Sequence, residues 1–378
     1  MTRVLIAADS FKGSASSKEV ATYLAAGIKK VERNVQITEV SIADGGEGTV
    51  ESILDARGGK TYFSQVVGPF GKEVTAKWGM IADNQAVIEV AEAAGIAIAP
   101  TELNPLVATT YGVGQLIDEA IAKGAKQIYV GLGGSVSNDG GVGLAQALGG
   151  HFLDKEGKEI GLGGRELNKI WSVDLTDLDR KLDGIEIVGL SDVTNPLTGP
   201  EGASIIFGPQ KGASAKDVEL LDQNLNHLAN LVDEVRGHEY RTEPGAGAAG
   251  GTGYALMALL GGVLHSGINE VMRIIQLEEK IATCDLVITG EGQIDGQSLM
   301  GKAPIGVAKL AKKQGLPVIA VAGGIGENIE AVYDAGIDLV ISSTTKPMTV
   351  KEAMSQTAKL LTAAGYTAMK AYLLGKKS

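Results

Sequence analysis

Arg3-Val4-Leu5-Ile6-Ala7-Ala8-Asp9-Ser10-Phe11-Lys12-Gly13-Ser14-Ala15-Ser16 is the stretch from which the fold is read. After Arg3 the run Val4–Ala8 is continuously apolar. It is too short for the apolar region of a signal peptide and has the length of a strand buried on both faces. Ser16 and Glu19 then form a capping box, and Val20, Leu24, Ile28 and Val31 repeat at the three-to-four spacing of one buried helical face. Buried strand, polar loop and amphipathic helix are the opening of a wound α/β sheet.

The pattern recurs on both sides of the chain. Strand Val35–Ile42 and helix Thr49–Arg57 follow the first pair. Near the C-terminus come strand Asp285–Thr289, helix Ala303–Gln314, strand Val318–Ala322, helix Asn328–Ala335, strand Leu339–Ser342 and helix Val350–Leu373, the last capped by Thr349 and Glu352. Two strands at the front and three at the back predict one five-stranded, doubly wound parallel sheet. Between Lys60 and Ile281 the character changes. Val66–Trp78 and Ala86–Val90 read as hairpin-linked strands, Thr110–Lys123 and Asp217–Val235 as helices, and Gln127–Val130 and Ile185–Leu190 as strands, with Gln127–Val130 also able to join the wound sheet. The expected fold class is α/β, with residues 1–60 plus 281–378 forming a discontinuous wound domain and residues 61–280 an inserted α/β domain.

Composition bounds the chemistry. Among 378 residues 44% are hydrophobic but only 4% aromatic, so Ala, Val, Ile and Leu must fill the interior, as in helix-on-sheet layers. The 53 glycines, about twice the usual share, cluster at strand ends where loops bind ligands. A net charge of -11 argues against a nucleic-acid binder, which needs basic residues to displace counterions. The single cysteine, Cys284, excludes an intramolecular disulfide and a cysteine-rich zinc site, and fits a reducing, cytoplasmic setting. Gly245–Leu264 is uncharged and long enough to span a bilayer, yet its crowded glycines read as a loop followed by a buried helix, so no membrane association is expected.

Ligands of a wound sheet sit at the carboxyl ends of its strands. There the sequence places Asp9, Lys12 and Ser14 after the first strand, Asp44-Gly45-Gly46-Glu47-Gly48 after the second, and Gly290-Glu291-Gly292-Gln293-Ile294-Asp295 after the first back strand. Lys12 suits a phosphate or carboxylate, and Asp9, Asp44, Glu47, Glu291 and Asp295 suit a metal or a proton. The middle segment adds Gly133-Gly134-Ser135 leading to a second motif, Asp139-Gly140-Gly141, as a backbone nest for phosphate. It also adds Asp192 and Asn195 after strand Ile185–Leu190, and Lys211 in a glycine-flanked loop. Gly296–Lys302 imitates a P-loop but has Ala303 where a magnesium-binding hydroxyl belongs. No histidine lies in a glycine-rich loop to activate a serine, which leaves phosphoryl transfer as the natural chemistry of an anion-binding, carboxylate-rich site.

Taken in order, these loops resemble the bacterial type I glycerate kinases over the whole chain, together with Phe207-Gly208-Pro209-Gln210-Lys211-Gly212 and Pro244-Gly245-Ala246-Gly247-Ala248-Ala249-Gly250-Gly251. The resemblance implies a flavodoxin-like domain interrupted by a domain like that of restriction endonucleases. It also implies ATP-dependent phosphorylation of D-glycerate at the 2-hydroxyl, with Mg2+. On this reading Asp44 or Asp192 is the base, Lys12 faces the glycerate carboxylate or the transferred phosphoryl, and Gly133–Ser135 and Asp139–Gly141 cradle ATP phosphates. Asp44, Asp192 and Glu291 are candidate Mg2+ ligands, with Ser14, Glu47, Asn195, Lys211 and Asp295 as further substrate or phosphate contacts. The competing readings are phosphorylation at the 3-hydroxyl, a non-catalytic binder of a small anion and, by fold analogy, a flavin carrier. Oligomeric state is not legible.

Overall fold

The structure, a computed structural model, describes residues 1–99, 102–295 and 302–376. The strands run in chain order as β1 (Arg3–Ala8), β2 (Gln36–Ser41), β3 (Lys60–Val67), β4 (Glu73–Ile81), β5 (Gln85–Glu89), β6 (Gln127–Gly131), β7 (His151–Leu153), β8 (Ser172–Asp174), β9 (Glu186–Leu190), β10 (Val263–His265), β11 (Leu286–Ile294), β12 (Val318–Ile325) and β13 (Leu339–Ser342). They divide between two compact units. One holds residues 1–44, 51–57 and 268–378, the other residues 45–50 and 58–267. The chain therefore returns to the first unit at Ile268, ahead of the 281 read from the sequence.

The first unit is a five-stranded sheet in the order β13-β12-β11-β1-β2, with every neighbouring pair parallel. Numbered within the unit, this is the 2-1-3-4-5 order of doubly wound flavodoxin-like sheets. Val4, Ile6, Leu286 and Ile288 from the sheet pack with Leu24 and Ile28 of helix Ser17–Val31 and with Leu361 and Met369 of helix Thr357–Gly375. Both expected capping boxes form, Ser16 with Glu19 and Thr349 with Glu352. The C-terminal helix is interrupted: Val350–Ser355 ends at Gln356, and a second helix starts at Thr357.

The second unit carries a mixed sheet in the order β10-β9-β6-β5-β4-β3, antiparallel across β3, β4 and β5 and parallel from β5 to β10. Gln127–Val130 thus belongs here, as part of β6 between β5 and β9. The single strand read over Val66–Trp78 is two strands, turned at Gly68-Pro69-Phe70-Gly71, where Gly68 N–H donates to Lys72 O at 2.7 Å. Trp78, Ile88, Leu116, Ile128, Phe152 and Leu256 lie in its core. Among the described residues no helix is long and apolar enough to cross a membrane. Gly245–Leu264 contains a glycine-rich turn, helix Ala248–Tyr254 and the start of β10.

Glu89, the last residue of β5, is 3% exposed and accepts the Val50 N–H (2.7 Å) and the Gly48 N–H (3.2 Å). It thereby holds the start of helix Thr49–Arg57, which follows the first Asp-Gly-Gly motif. Burial pushes its carboxyl up to about 7, against the lowering effect of the Val50 N–H.

Two outcomes follow from this packing. A Cβ on Gly27 would lie 2.0 Å from Thr362 O, where helices Ser17–Val31 and Thr357–Gly375 touch. Gly27→Ala gains up to about 1 kcal/mol of helix propensity. Overpacking, at about 1–3 kcal/mol, outweighs that gain, so the variant should unfold at lower urea. For Glu89, whose ordinary value is 4.5, the folded state binds the proton more tightly than the unfolded chain. Its contribution to stability is therefore lost as pH rises from about 4.5 to about 7, on the order of 3 kcal/mol in total. Urea unfolding of Glu89→Gln across this range should lack that slope; equal slopes in both proteins would assign the titration elsewhere.

Candidate active site

All five strands of the first unit point their carboxyl ends at one edge, and a cavity of about 520 Å3 opens there. Ser17 fixes the first two ends together: its hydroxyl donates to Ala8 O (2.6 Å) and accepts the Ile42 N–H (2.9 Å). The Asp9 N–H donates to Gly290 O at 2.8 Å, which ties the end of β1 to β11. Asp9 and Glu291 therefore flank the point where strand order reverses, the usual ligand position in such sheets.

The turn after β1 is closed by reciprocal backbone bonds between Phe11 and Ala15 (2.9 and 3.0 Å), with Gly13 at φ +76°. A side chain is strained at that φ, and glycine allows the tight turn that brings Lys12 and Ser14 to the cavity. Asp44 arrives from the loop after β2. Glu291, 8% exposed, comes from β11, with Lys302 Nζ 3.5 Å from its Oε2. The structure thus brings together Lys12, Ser14, Asp44 and Glu291 from the sequence-derived set. Asp295 accepts from Gln293 Nε2 (3.1 Å); Gln293 lines the cavity.

The Asp9 carboxyl is pushed up to about 7. Burial is the main cause; Asp44 adds to it, the Ser10 N–H (2.6 Å) and Lys12 oppose it, and Glu291 raises it slightly. Asp44 and Glu291 act on it because three parallel strand ends deliver their acids to one place. A carboxyl near 7 exchanges protons readily at neutral pH.

The second unit holds the remaining candidates. Asp139 is fully buried and accepts the Thr110 N–H (2.8 Å), the Thr110 hydroxyl (2.9 Å) and the Gly141 N–H (3.2 Å). Burial raises its carboxyl while these bonds oppose the rise. The Gly133 N–H donates to Gly45 O (3.2 Å) and the Gly140 N–H to Gly250 O (3.1 Å). Of the expected phosphate nest, the Gly133, Gly140 and Gly141 N–H groups are thus engaged inside the unit, and Asp139 is buried with them. Ser135 Oγ lies 2.8 Å from Ser137 Oγ. Lys211, expected to meet an anion, is 3% exposed, donates to Ser137 O (2.6 Å) and is pushed down to about 7 by burial.

Asp192 accepts the Ser266 hydroxyl at 2.6 Å, and Asn195 Nδ2 donates to Glu201 O at 2.8 Å. Glu47 is exposed, and its Oε1 is 3.4 Å from the place a Cβ on Gly134 would take. The P-loop imitation falls on residues 296–301, outside the described residues, apart from Lys302. Sequence reasoning missed Glu89, a strand residue with no motif around it, and the wall of the cavity formed by Met348, Val350 and Met354. Val350 and Met354 lie in a capped helix and Met348 just before its cap, and these residues carry no motif of their own.

Comparison with known proteins agrees with this architecture. Residues 4–373 match the model of the glycerate kinase family. The chain is 47% identical over 353 residues to the glycerate 2-kinase of Escherichia coli strain K12, covering 93% of each chain. It is 44% identical over 361 residues to the glycerate kinase of Bacillus subtilis strain 168, covering 95% of this chain and 94% of the relative. A crystal structure from Salmonella typhimurium LT2, provisionally named glycerate kinase 2, superposes over 100% of both chains with a TM-score of 0.88 at 39% identity. On this combined ground the chain is a kinase and belongs to the glycerate kinase family.

Proposed function

We propose that this kinase transfers the terminal phosphoryl group of ATP to D-glycerate at the 2-hydroxyl, giving 2-phosphoglycerate and ADP. The observation that carries the reading is the convergence of Asp9, Asp44, Lys12 and Lys302 on one cavity at the strand ends. ATP is the co-substrate that family membership supports. The name of the Escherichia coli relative, glycerate 2-kinase, supports the choice of hydroxyl.

In the transfer the glycerate oxygen forms a bond to the terminal phosphorus while the bond from that phosphorus to the bridging oxygen breaks and ADP leaves. The hydroxyl proton goes to a carboxylate, and Asp9 is the base in this proposal. Burial, with Asp44 adding to it, holds it near neutrality, where a base is both available and basic enough. Lys12, on its short turn, faces the glycerate carboxylate or the moving phosphoryl. Asp192, in the second unit and bonded to Ser266, is not required.

Among the described residues no cluster of three or more Asp, Glu, His or Cys is arranged to hold a metal. Mg2+ uses one or two protein carboxylates and takes its other ligands from water and phosphate. Asp44 and Glu291 offer hard oxygen donors of that kind, and they would hold it. When bound, Mg2+ supplies neutralisation of phosphate charge.

Asp9→Asn should lower kcat by about 10²–10⁴ while the protein stays folded, the usual loss for a missing general base. A variant with near wild-type turnover in a coupled ADP assay would remove Asp9 from the base role. Regiochemistry is read from the proton-coupled phosphorus NMR signal of the product. A phosphate on the 2-oxygen couples to a single methine proton and gives a doublet; a triplet would mean transfer to the 3-oxygen.

A further inference from the structure

The cavity of the first unit is larger and more apolar than a three-carbon hydroxy acid needs. Its volume of about 520 Å3 falls within the range of about 300–1,000 Å3 that encloses a drug-sized ligand. The charged groups sit on the loops after β1 and β2, on β11 and, for Lys302, just ahead of helix Ala303–Lys313. Facing the same cavity are Phe11, Met348, Val350 and Met354, none of which has a counterpart on glycerate.

Phe11 is 5% exposed and belongs to the core of the first unit, whereas the rest of this wall stands open among the described residues. Helix Val350–Ser355 buries none of its residues, and Val350 and Met354 are 76% and 38% exposed although both line the cavity. The cavity is also lined by Gly292 and Gly324, and their backbone is bare. A Cβ on Gly324 would meet nothing within 4 Å, and one on Gly292 would come no closer than 3.8 Å to Phe11 Cα. Exposed apolar side chains and unsubstituted backbone lining one cavity leave room for a flat ring. Methionine suits such a slot, since its polarisable sulfur makes favourable contacts with aromatic rings and its chain adapts to their shape.

We propose that Phe11, Met348, Val350 and Met354, over the backbone of Gly292 and Gly324, receive the purine base of the nucleotide. The first unit would then bind the nucleotide by its base, beside the carboxylates and lysines that serve transfer. This assignment rests on the kinase reading for the identity of the ligand, but not on the regiochemistry or on the choice of base.

The test uses Val350→Asp and Met354→Asp in the full chain, with thermal unfolding as the check on folding. Val350 is largely exposed, so Val350→Asp keeps the test available if Met354→Asp fails to fold. ADP binding is measured by calorimetry without glycerate, alongside tripolyphosphate, which has phosphates and no base. The expected result is at least tenfold weaker ADP binding in the variants, with tripolyphosphate affinity changed less than twofold. In turnover, KM for ATP should rise at least tenfold while KM for glycerate moves less than twofold, and any preference for ATP over CTP should shrink. Unchanged ADP affinity in the folded Val350→Asp variant, or an effect on glycerate KM alone, would overturn the assignment. If the wild-type protein binds ADP but forms none from ATP and glycerate, the kinase reaction is at fault; the ADP titration still decides the slot.

Discussion

The pairing of β1 with β11 is the constraint from which the cavity of the first unit derives. Val4, Leu5 and Ile6 stand in parallel register with Leu286, Val287 and Ile288, residues some 280 positions later in the chain. At the start of the pair, Arg3 reaches Asp285 with both its guanidinium (2.8 Å) and its N–H (2.8 Å), and holds that carboxyl down at about 2. An exposed ion pair of this kind adds little stability, but a bond to both side chain and backbone marks the register. At the other end the Asp9 N–H meets Gly290 O. A slip of one residue would exchange the two buried faces of β1, moving Val4 and Ile6 to the side that Leu5 and Ala7 fill, and carry Asp9 away from Asp44 and Glu291.

That register concentrates like charge. Among the described residues, three carboxylates, from β11 and from the loops after β1 and β2, share one cavity with two lysines. Burial comes first in raising the proton affinity of Asp9, and Asp44 and Glu291 add to it. Acids gathered in this way favour the entry of cations or of a proton. The tension is tolerated because the carboxylates stand on backbone that the sheet has already fixed. Ser17, which bridges Ala8 O and Ile42 N–H, removes freedom from the two loops that carry Asp9 and Asp44.

Much of this was legible in the residues. Apolar runs between glycines located β1, β12 and β13 within a few residues, and the capping boxes located two helix starts, because local chemistry decides those features. Strand β11 was read as ending at Thr289 but continues to Ile294, since Gly290 to Gln293 are held by their ladder to β12 and not by any propensity of their own. Asp9, Lys12, Asp44 and Glu291 could be found because a parallel sheet turns position after a strand into position in a site. The two Asp-Gly-Gly motifs look alike as text but differ in the structure. Asp44 lines a cavity, whereas Asp139 lies wholly inside the second unit under Thr110, and only the long-range packing of that unit decides the difference. Glu89 was invisible for the same reason, as its partners Gly48 and Val50 lie about forty positions earlier and on another element.

The split of the first unit has a consequence for how the chain is made. On the ribosome β1 and β2 emerge at once, yet β1 cannot acquire its inner neighbour until β11 has been synthesised, after the whole of the second unit. A two-stranded parallel pair is not stable alone, and its open edge is a template for unwanted pairing. Residues 58–267 are contiguous, so they can close their own core while the N-terminal strands wait. Assembly of the first unit is then a late, non-local step, and such steps are slow and prone to aggregation. Chaperone dependence during synthesis is the expected cost of placing the two halves of one sheet at opposite ends of a gene.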